Sequence, residues 1–250
     1  MQIIVDGLLT HYERAGKGPI VVILPGWADT SRSWLAMQKE LSGSYDVVVL
    51  DIPGFGGSQA PNIAWSLDDY TDFISHFLEK TGSTDLYAVI GHSNGGAMAI
   101  RGIGSAKFAP RKLVLLASAG IRAGQSGRRG LLKIVAKAGK VLSTPLPATL
   151  KSRLRARLYH TVGSDMLVAG HMQETFKKVV ADDVQAEAVR VTVPTLLIYG
   201  DSDNDTPLKY GEAFHRLIKG STLEVIPGAG HFLHTENASQ VGRIAKEFLR

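Results

Sequence analysis

A chain of 250 residues with 44% apolar and 20% charged content can bury a full core as one domain, with or without an inserted subdomain. That composition excludes disordered, collagen-like and coiled-coil architectures. The absence of cysteine removes disulfide scaffolds, thiolate metal sites and cysteine nucleophiles. The net charge of +5 hides an asymmetry, because ten of the 28 basic residues (Arg122, Arg128, Arg129, Lys133, Lys137, Lys140, Lys151, Arg153, Arg155, Arg157) and none of the 23 acidic ones fall between Ile121 and His160. Met1 to Gly7 shows no basic region followed by a long apolar one, and no apolar run approaches the ~18 residues of a membrane span, so a cytoplasmic protein is expected.

In chain order, Gln2 to Val5 and Leu9 to Arg14 read as a hairpin about Asp6-Gly7. Ile20 to Leu24 is a buried strand ended by Pro25-Gly26, Ser33 to Leu41 suits a helix, and Asp46 to Leu50 is a second buried strand. Leu67 to Lys80 carries Tyr70, Phe73, Ile74, Phe77 and Leu78 at helical spacing, with Ser66 as its cap. Leu86 to Ile90 and Leu113 to Ala117 are further strands. The rhythm then breaks from Ile121 to about Arg190 and resumes with a strand over Pro194 to Tyr199, a helix over Leu208 to Ile218 and a strand over Thr222 to Ile226. A closing helix over Ala238 to Leu249 is capped by Asn237 or Ser239. The alternation predicts an α/β fold: a mostly parallel twisted sheet with helices on both faces, a core made of 1–120 and 191–250, and a helical cap inserted at 121–190. Inside the insertion, Gly130 to Leu142 and the Leu150, Leu154, Leu158 series read as amphipathic cap helices with basic outer faces.

Gly91-His92-Ser93-Asn94-Gly95 places Gly-x-Ser-x-Gly directly after a buried strand and before a helical pattern. Such a strand-to-helix turn forces its central residue into a strained conformation and leaves no room for side chains two residues to either side. The Ser93 hydroxyl is thereby raised at a helix N-terminus, whose N–H groups favour developing negative charge.

With Leu24-Pro25-Gly26-Trp27, Asp51-Ile52-Pro53-Gly54-Phe55-Gly56-Gly57-Ser58, Gly200 to Pro207 and Pro227-Gly228-Ala229-Gly230-His231-Phe232 in matching chain order, the sequence resembles the α/β-hydrolase fold superfamily over Gln2 to Gly120 and Val193 to Arg250. The resemblance implies a triad in the order serine, acid, histidine: Ser93 as nucleophile, His231 as base and Asp203 as acid, with Asp205 the rival carboxylate and Asp201 a loop cap. His234 is a weaker candidate for the base, and His92 is expected to point away from the nucleophile. The oxyanion hole is assigned to the backbone N–H groups of Asn94 and Trp27, with Gly26 giving access and Trp27 also suited to line the acyl pocket. Asp51 reads as architectural.

Asp201, Asp203, Asp205 and Glu212 also fall at calcium-loop positions, but Thr206 stands where that loop needs glycine. No phosphate, dinucleotide or zinc motif appears, so neither cofactor nor metal is expected. The implied activity is a serine hydrolase of carboxylesterase type, cleaving an ester or related acyl substrate through an acyl-enzyme intermediate. Carbon–carbon bond hydrolysis or haloperoxidation on the same triad, and a low-turnover receptor using the pocket, are the alternatives. The basic segment suits an anionic substrate or an acidic carrier protein; membrane contact is less favoured, and nucleic acid is not expected.

Overall fold

The computed structural model describes residues 1–122 and 170–250. One sheet of eight strands, β1 (Gln2–Val5), β2 (Leu8–Ala15), β3 (Ile20–Leu24), β4 (Asp46–Leu50), β5 (Leu86–His92), β6 (Lys112–Leu116), β7 (Thr195–Gly200) and β8 (Thr222–Ile226), runs in the order β1-β2-β4-β3-β5-β6-β7-β8. The hairpin β1–β2 is antiparallel and joins β4 antiparallel, while every pairing from β4 to β8 is parallel. The helices are α1 (Leu35–Leu41), preceded by a 3-10 turn over Ser31–Trp34, α2 (Leu67–Lys80), α3 (Asn94–Gly104), α4 (Gly170–Ala181), α5 (Gln185–Ala188), α6 (Leu208–Leu217), α7 (Leu233–Glu236) and α8 (Ala238–Leu249).

Strand periodicity divides the core in two. Val21, Ile23, Val47, Val49, Ala88, Ile90, Val114, Leu116, Leu196 and Ile198 pack with Trp34, Met37 and Leu41 and with Val241 and Leu249 of α8. Their neighbours Val22, Leu24, Val48, Leu50, Val89, Leu113, Leu115, Leu197 and Tyr199 pack with Tyr70, Phe73 and Phe77 of α2, Met98 and Ile100 of α3, and Phe214 of α6. Each buried aliphatic side chain contributes roughly 2 kcal/mol by removal from water.

Local signals explain the boundaries. Ser66 accepts from the Asp69 N–H while the Asp69 carboxylate accepts from the Ser66 N–H, a capping box that starts α2 where the sequence places it. At α8, by contrast, Asn237 makes no side-chain cap bond; it also ends α7, and its carbonyl accepts from Gln240 and Val241. β5 runs two residues beyond the expected Ile90 because Gly91 and His92 continue the pairing with Leu115 and Leu116.

Some residues within the expected insertion pack against the α2/α3 face. Met172 and Val179 of α4, together with Val184, Ala188 and Val191, join the α2/α3 cluster, and the Trp65 N–H donates to Thr175 Oγ1 at 3.0 Å. The helices expected within 130–142 and 150–158, and nine of the ten basic residues between Ile121 and His160 (all but Arg122), lie outside the described residues. Among the described residues no helix is long and apolar enough to cross a membrane.

The sheet winds in opposite directions from β3, to β4 on one side and β5 on the other. A crevice therefore opens at the C-terminal ends of β3 and β5, where the loops carrying the chemical motifs meet.

Candidate active site

β5 ends at His92 and α3 begins at Asn94, so Ser93 alone makes the turn, at φ 51 and ψ −119. A left-handed conformation costs a non-glycine residue about 1–2 kcal/mol. Dense backbone bonding offsets it: the Ser93 N–H donates to Leu116 O at 3.0 Å, and the Ser93 carbonyl accepts from Gly96, Ala97 and Ala119. The flanking glycines are required by space. A Cβ on Gly91 would sit 2.6 Å from Gly96 Cα, and one on Gly95 would sit 2.0 Å from Leu24 O.

Ser93 Oγ lies 3.1 Å from Nε2 of His231, and Nδ1 of His231 lies 2.8 Å from Oδ2 of Asp203. A carboxylate only accepts, so Nδ1 carries the proton and the Nε2 lone pair faces the serine hydroxyl, the tautomer a general base needs. His231 sits in the loop between β8 and α7, Asp203 in the loop between β7 and α6. Burial pushes the Asp203 carboxyl up, but the bond and charge of His231 and the Thr206 hydroxyl and N–H outweigh it and hold the carboxyl below its ordinary value. Oδ1 of Asp203 accepts from the N–H groups of Asp205 and Thr206 at 2.7 and 3.0 Å.

Thr206, which sequence reasoning treated only as a misfit in a calcium loop, is part of this arrangement. Its Oγ1 lies 2.7 Å from Asp203 Oδ2, 3.1 Å from His231 Nδ1 and 2.8 Å from the Ala117 carbonyl. Asp205 is exposed, and Asp201 accepts from the Gly228 N–H at 2.7 Å. Asp201 and Asp203 thus accept from different donors, and Glu212 lies exposed on α6.

Asn94 is the first residue of α3, where helix N–H groups have no intrahelical acceptor. Trp27 occupies a turn in which the Asp29 N–H donates to Gly26 O at 3.2 Å and Ala28 takes φ 61. Its ring meets Phe55 edge-on at 4.8 Å and Phe176 of α4 at 5.0 Å, an apolar cluster that joins the loops after β3 and β4 to α4. A Cβ on Gly26 would stand 3.1 Å from Ser93 Cβ, so glycine there keeps the approach open. Asp51 accepts from Ser31 and Gly57 N–H groups and contacts His11 Nδ1 at 2.9 Å, holding the loop after β4.

Two of the other histidines lie behind the site. His92 is fully buried, and its Nε2 is 2.9 Å from the carbonyl of His231. It faces the histidine loop from behind, where it meets a backbone carbonyl and not the serine hydroxyl. His234, also buried, stacks on Trp34 at 4.2 Å and 7° and lies 3.1 Å from Asp29 Oδ2. Neither was legible as part of a cluster, since residues 29, 92 and 234 share no local pattern. Asp29, His92 and His234, like Asp203, Asp205 and His231, bring potential metal-ligand atoms within 4.8 Å of one another. In the second group the Asp203 oxygens are already engaged by four hydrogen-bond contacts.

A sequence model of the Alpha/beta hydrolase family matches residues 21–243. The human "Serine hydrolase BPHL" is 27% identical over all of this chain and 86% of its own length. A 2-hydroxy-6-oxo-6-(2'-aminophenyl)hexa-2,4-dienoic acid hydrolase of Metapseudomonas resinovorans is 24% identical over 97% of this chain and 88% of its own. Among solved structures, the enol-lactonase from Burkholderia xenovorans LB400 superposes with a TM-score of 0.80 at 20% identity, covering 100% of this chain and 99% of that one.

Proposed function

Because the chain belongs to the alpha/beta hydrolase family, we propose that it is a serine hydrolase that cleaves an ester or related acyl bond through an acyl-enzyme on Ser93. The observation that carries this reading is the unbroken line from Ser93 Oγ through the His231 ring to Asp203 Oδ2, at 3.1 and 2.8 Å. In the proposed cycle the Ser93 oxygen attacks the acyl carbon as its proton passes to Nε2 of His231. The buried Asp203 carboxylate stabilises the resulting imidazolium. The N–H groups of Asn94 and Trp27 receive the oxyanion, each such donor contributing about 3–4 kcal/mol to the transition state. His231 then gives its proton to the departing alcohol; a water loses a proton to the same nitrogen and attacks the acyl carbon, and as the bond to Ser93 Oγ breaks that proton passes to Oγ, restoring the serine and the neutral base.

The Trp27, Phe55 and Phe176 rings favour an apolar acyl group, and the basic segment at 121–160 favours an anionic substrate or an acidic carrier. A second reading, hydrolysis of a carbon–carbon bond on the same residues, draws on the name of the Metapseudomonas relative. p-Nitrophenyl esters of increasing chain length, assayed beside a vinylogous diketone, separate the two. Ser93→Ala should lower ester turnover by 10³-fold or more with the fold retained, and a fluorophosphonate should label Ser93. Undiminished turnover in that variant would remove Ser93 from the reaction.

A further inference from the structure

We propose that His92 is a positioning residue for His231, holding the backbone of the base while Asp203 holds its ring, and that His234, itself held by Trp34 and Asp29, packs the His92 ring in place from its far side. The inference rests on the reading of Ser93, His231 and Asp203 as a catalytic triad.

The His231 carbonyl can only accept, so the 2.9 Å contact makes Nε2 of His92 the protonated nitrogen. Nδ1 then carries a lone pair, which has no hydrogen-bond partner among the described residues and faces Gly26, where a Cβ would stand 2.9 Å away. An unpaired buried polar atom is costly, and the bond to the histidine loop opposes that cost. The other tautomer would aim a lone pair at the carbonyl and break the tether. Burial first, then the neighbouring His234 and His231 rings, push the His92 imidazole well below its ordinary value, which keeps it neutral; the bond to the His231 carbonyl and the charge of Asp29 oppose the shift without outweighing it.

The ring is fixed from the far side. His234 lies 4.6 Å from it, flat on Trp34 and 3.1 Å from Asp29 Oδ2. Asp29 is itself held by the Thr30 N–H at 2.8 Å, Ser33 Oγ at 2.5 Å and Trp34 Nε1 at 2.9 Å. Three loops are thereby joined beneath the crevice: the one carrying Trp27, the turn carrying Ser93 and the one carrying His231. A base displaced by about 1 Å loses on the order of 10²-fold in rate, so a tether of this kind acts on kcat and not on substrate affinity.

Two measurements test it. In protein labelled with 15N at histidine, the His92 ring, assigned by its absence from the His92→Gln spectrum, should remain an Nε2–H tautomer from about pH 5.5 to 9. A ring that titrates in that range, or carries its proton on Nδ1, overturns the proposal. His92→Phe, which removes the donor, should lower kcat for p-nitrophenyl butyrate by about 30- to 100-fold with KM within about 3-fold. His92→Gln, which can return an N–H near Nε2, should recover most of that loss, with both variants melting at similar temperatures. Equal kcat in the two variants, or losses that follow melting temperature, would reduce His92 to a packing residue. The tautomer is read in unmodified protein and does not depend on Ser93, so full ester turnover by Ser93→Ala would sink the triad reading separately.

Discussion

The backbone N–H of Asp205 donates to Oδ1 of Asp203 at 2.7 Å, so of two carboxylates that compete on sequence spacing, one supports the other through its main chain. Asp203→Asn should lower ester turnover by roughly 10⁴-fold, because an amide in that place favours the wrong histidine tautomer. Asp205→Asn keeps the donating N–H and should cost no more than a few-fold. Steady-state kinetics on both variants, with circular dichroism to confirm folding, decides between them; a greater loss at Asp205 would reverse the assignment.

Gly95 faces main-chain atoms that cannot yield, since a Cβ there would stand 2.0 Å from Leu24 O and 2.5 Å from Pro25 O. Gly95→Ala should destabilise by about 3 kcal/mol, near the upper end of overpacking costs, and lower Tm by roughly 6–12 °C. Gly43 has open space around it and no positive φ, so Gly43→Ala serves as the control and should move Tm by no more than a degree or two. Matching melting curves for the two would show that the turn can open without loss.

Asp29 couples stability to acid. Burial raises its carboxyl, but the contact and charge of His234 and the Ser33 hydroxyl bring it down to about 2 from 3.8. A depressed carboxyl adds stability that is complete above its unfolded value and disappears as pH falls through the folded one. Stability worth on the order of 2 kcal/mol should therefore fade between about pH 4 and pH 2. Urea unfolding at pH 6, 4 and 3 should show a shallower acid decline in Asp29→Asn, and parallel curves would count against the pair.

The basic segment is testable by salt. If it recruits anionic substrates, kcat/KM for an anionic ester should fall as the Debye length shrinks from about 10 Å at 0.1 M to 3 Å at 1 M, while a neutral ester changes little. Reversing Arg153, Arg155 and Arg157 to Glu should raise KM for the anionic ester alone. Identical salt responses for the two esters would leave the segment as solvated surface.

What the sequence revealed follows the range over which each signal acts. The parallel strands β3 to β7 were legible as apolar runs buried on both faces, and Leu67–Lys80 through its cap and its helical spacing. Gly91, Ser93 and Gly95 were legible because one strained turn demands all three within five residues. The core role of Met172, Val179 and Val184 was hidden, because helices that follow a broken pattern give no sign of the surface they will meet. Thr206 was missed since a hydroxyl has no spacing signature. Asp29, His92 and His234 were missed as a group because only the closing of three loops brings them together.

The alternation along each strand also governs how substitutions combine. Val47 and Val48 are neighbours in the chain, yet one belongs to the cluster that includes α1 and α8 and the other to the cluster that includes α2 and α3, on opposite faces of the sheet. Pairs of truncations taken from the same face share partners and should be coupled, whereas pairs split across the faces should come close to simple addition of their single effects. The molecule thus presents two nearly independent repertoires of tolerated core variation, and a variant weakened on the α1/α8 side can be compensated by repacking on that side without disturbing the side that carries α3 and its serine.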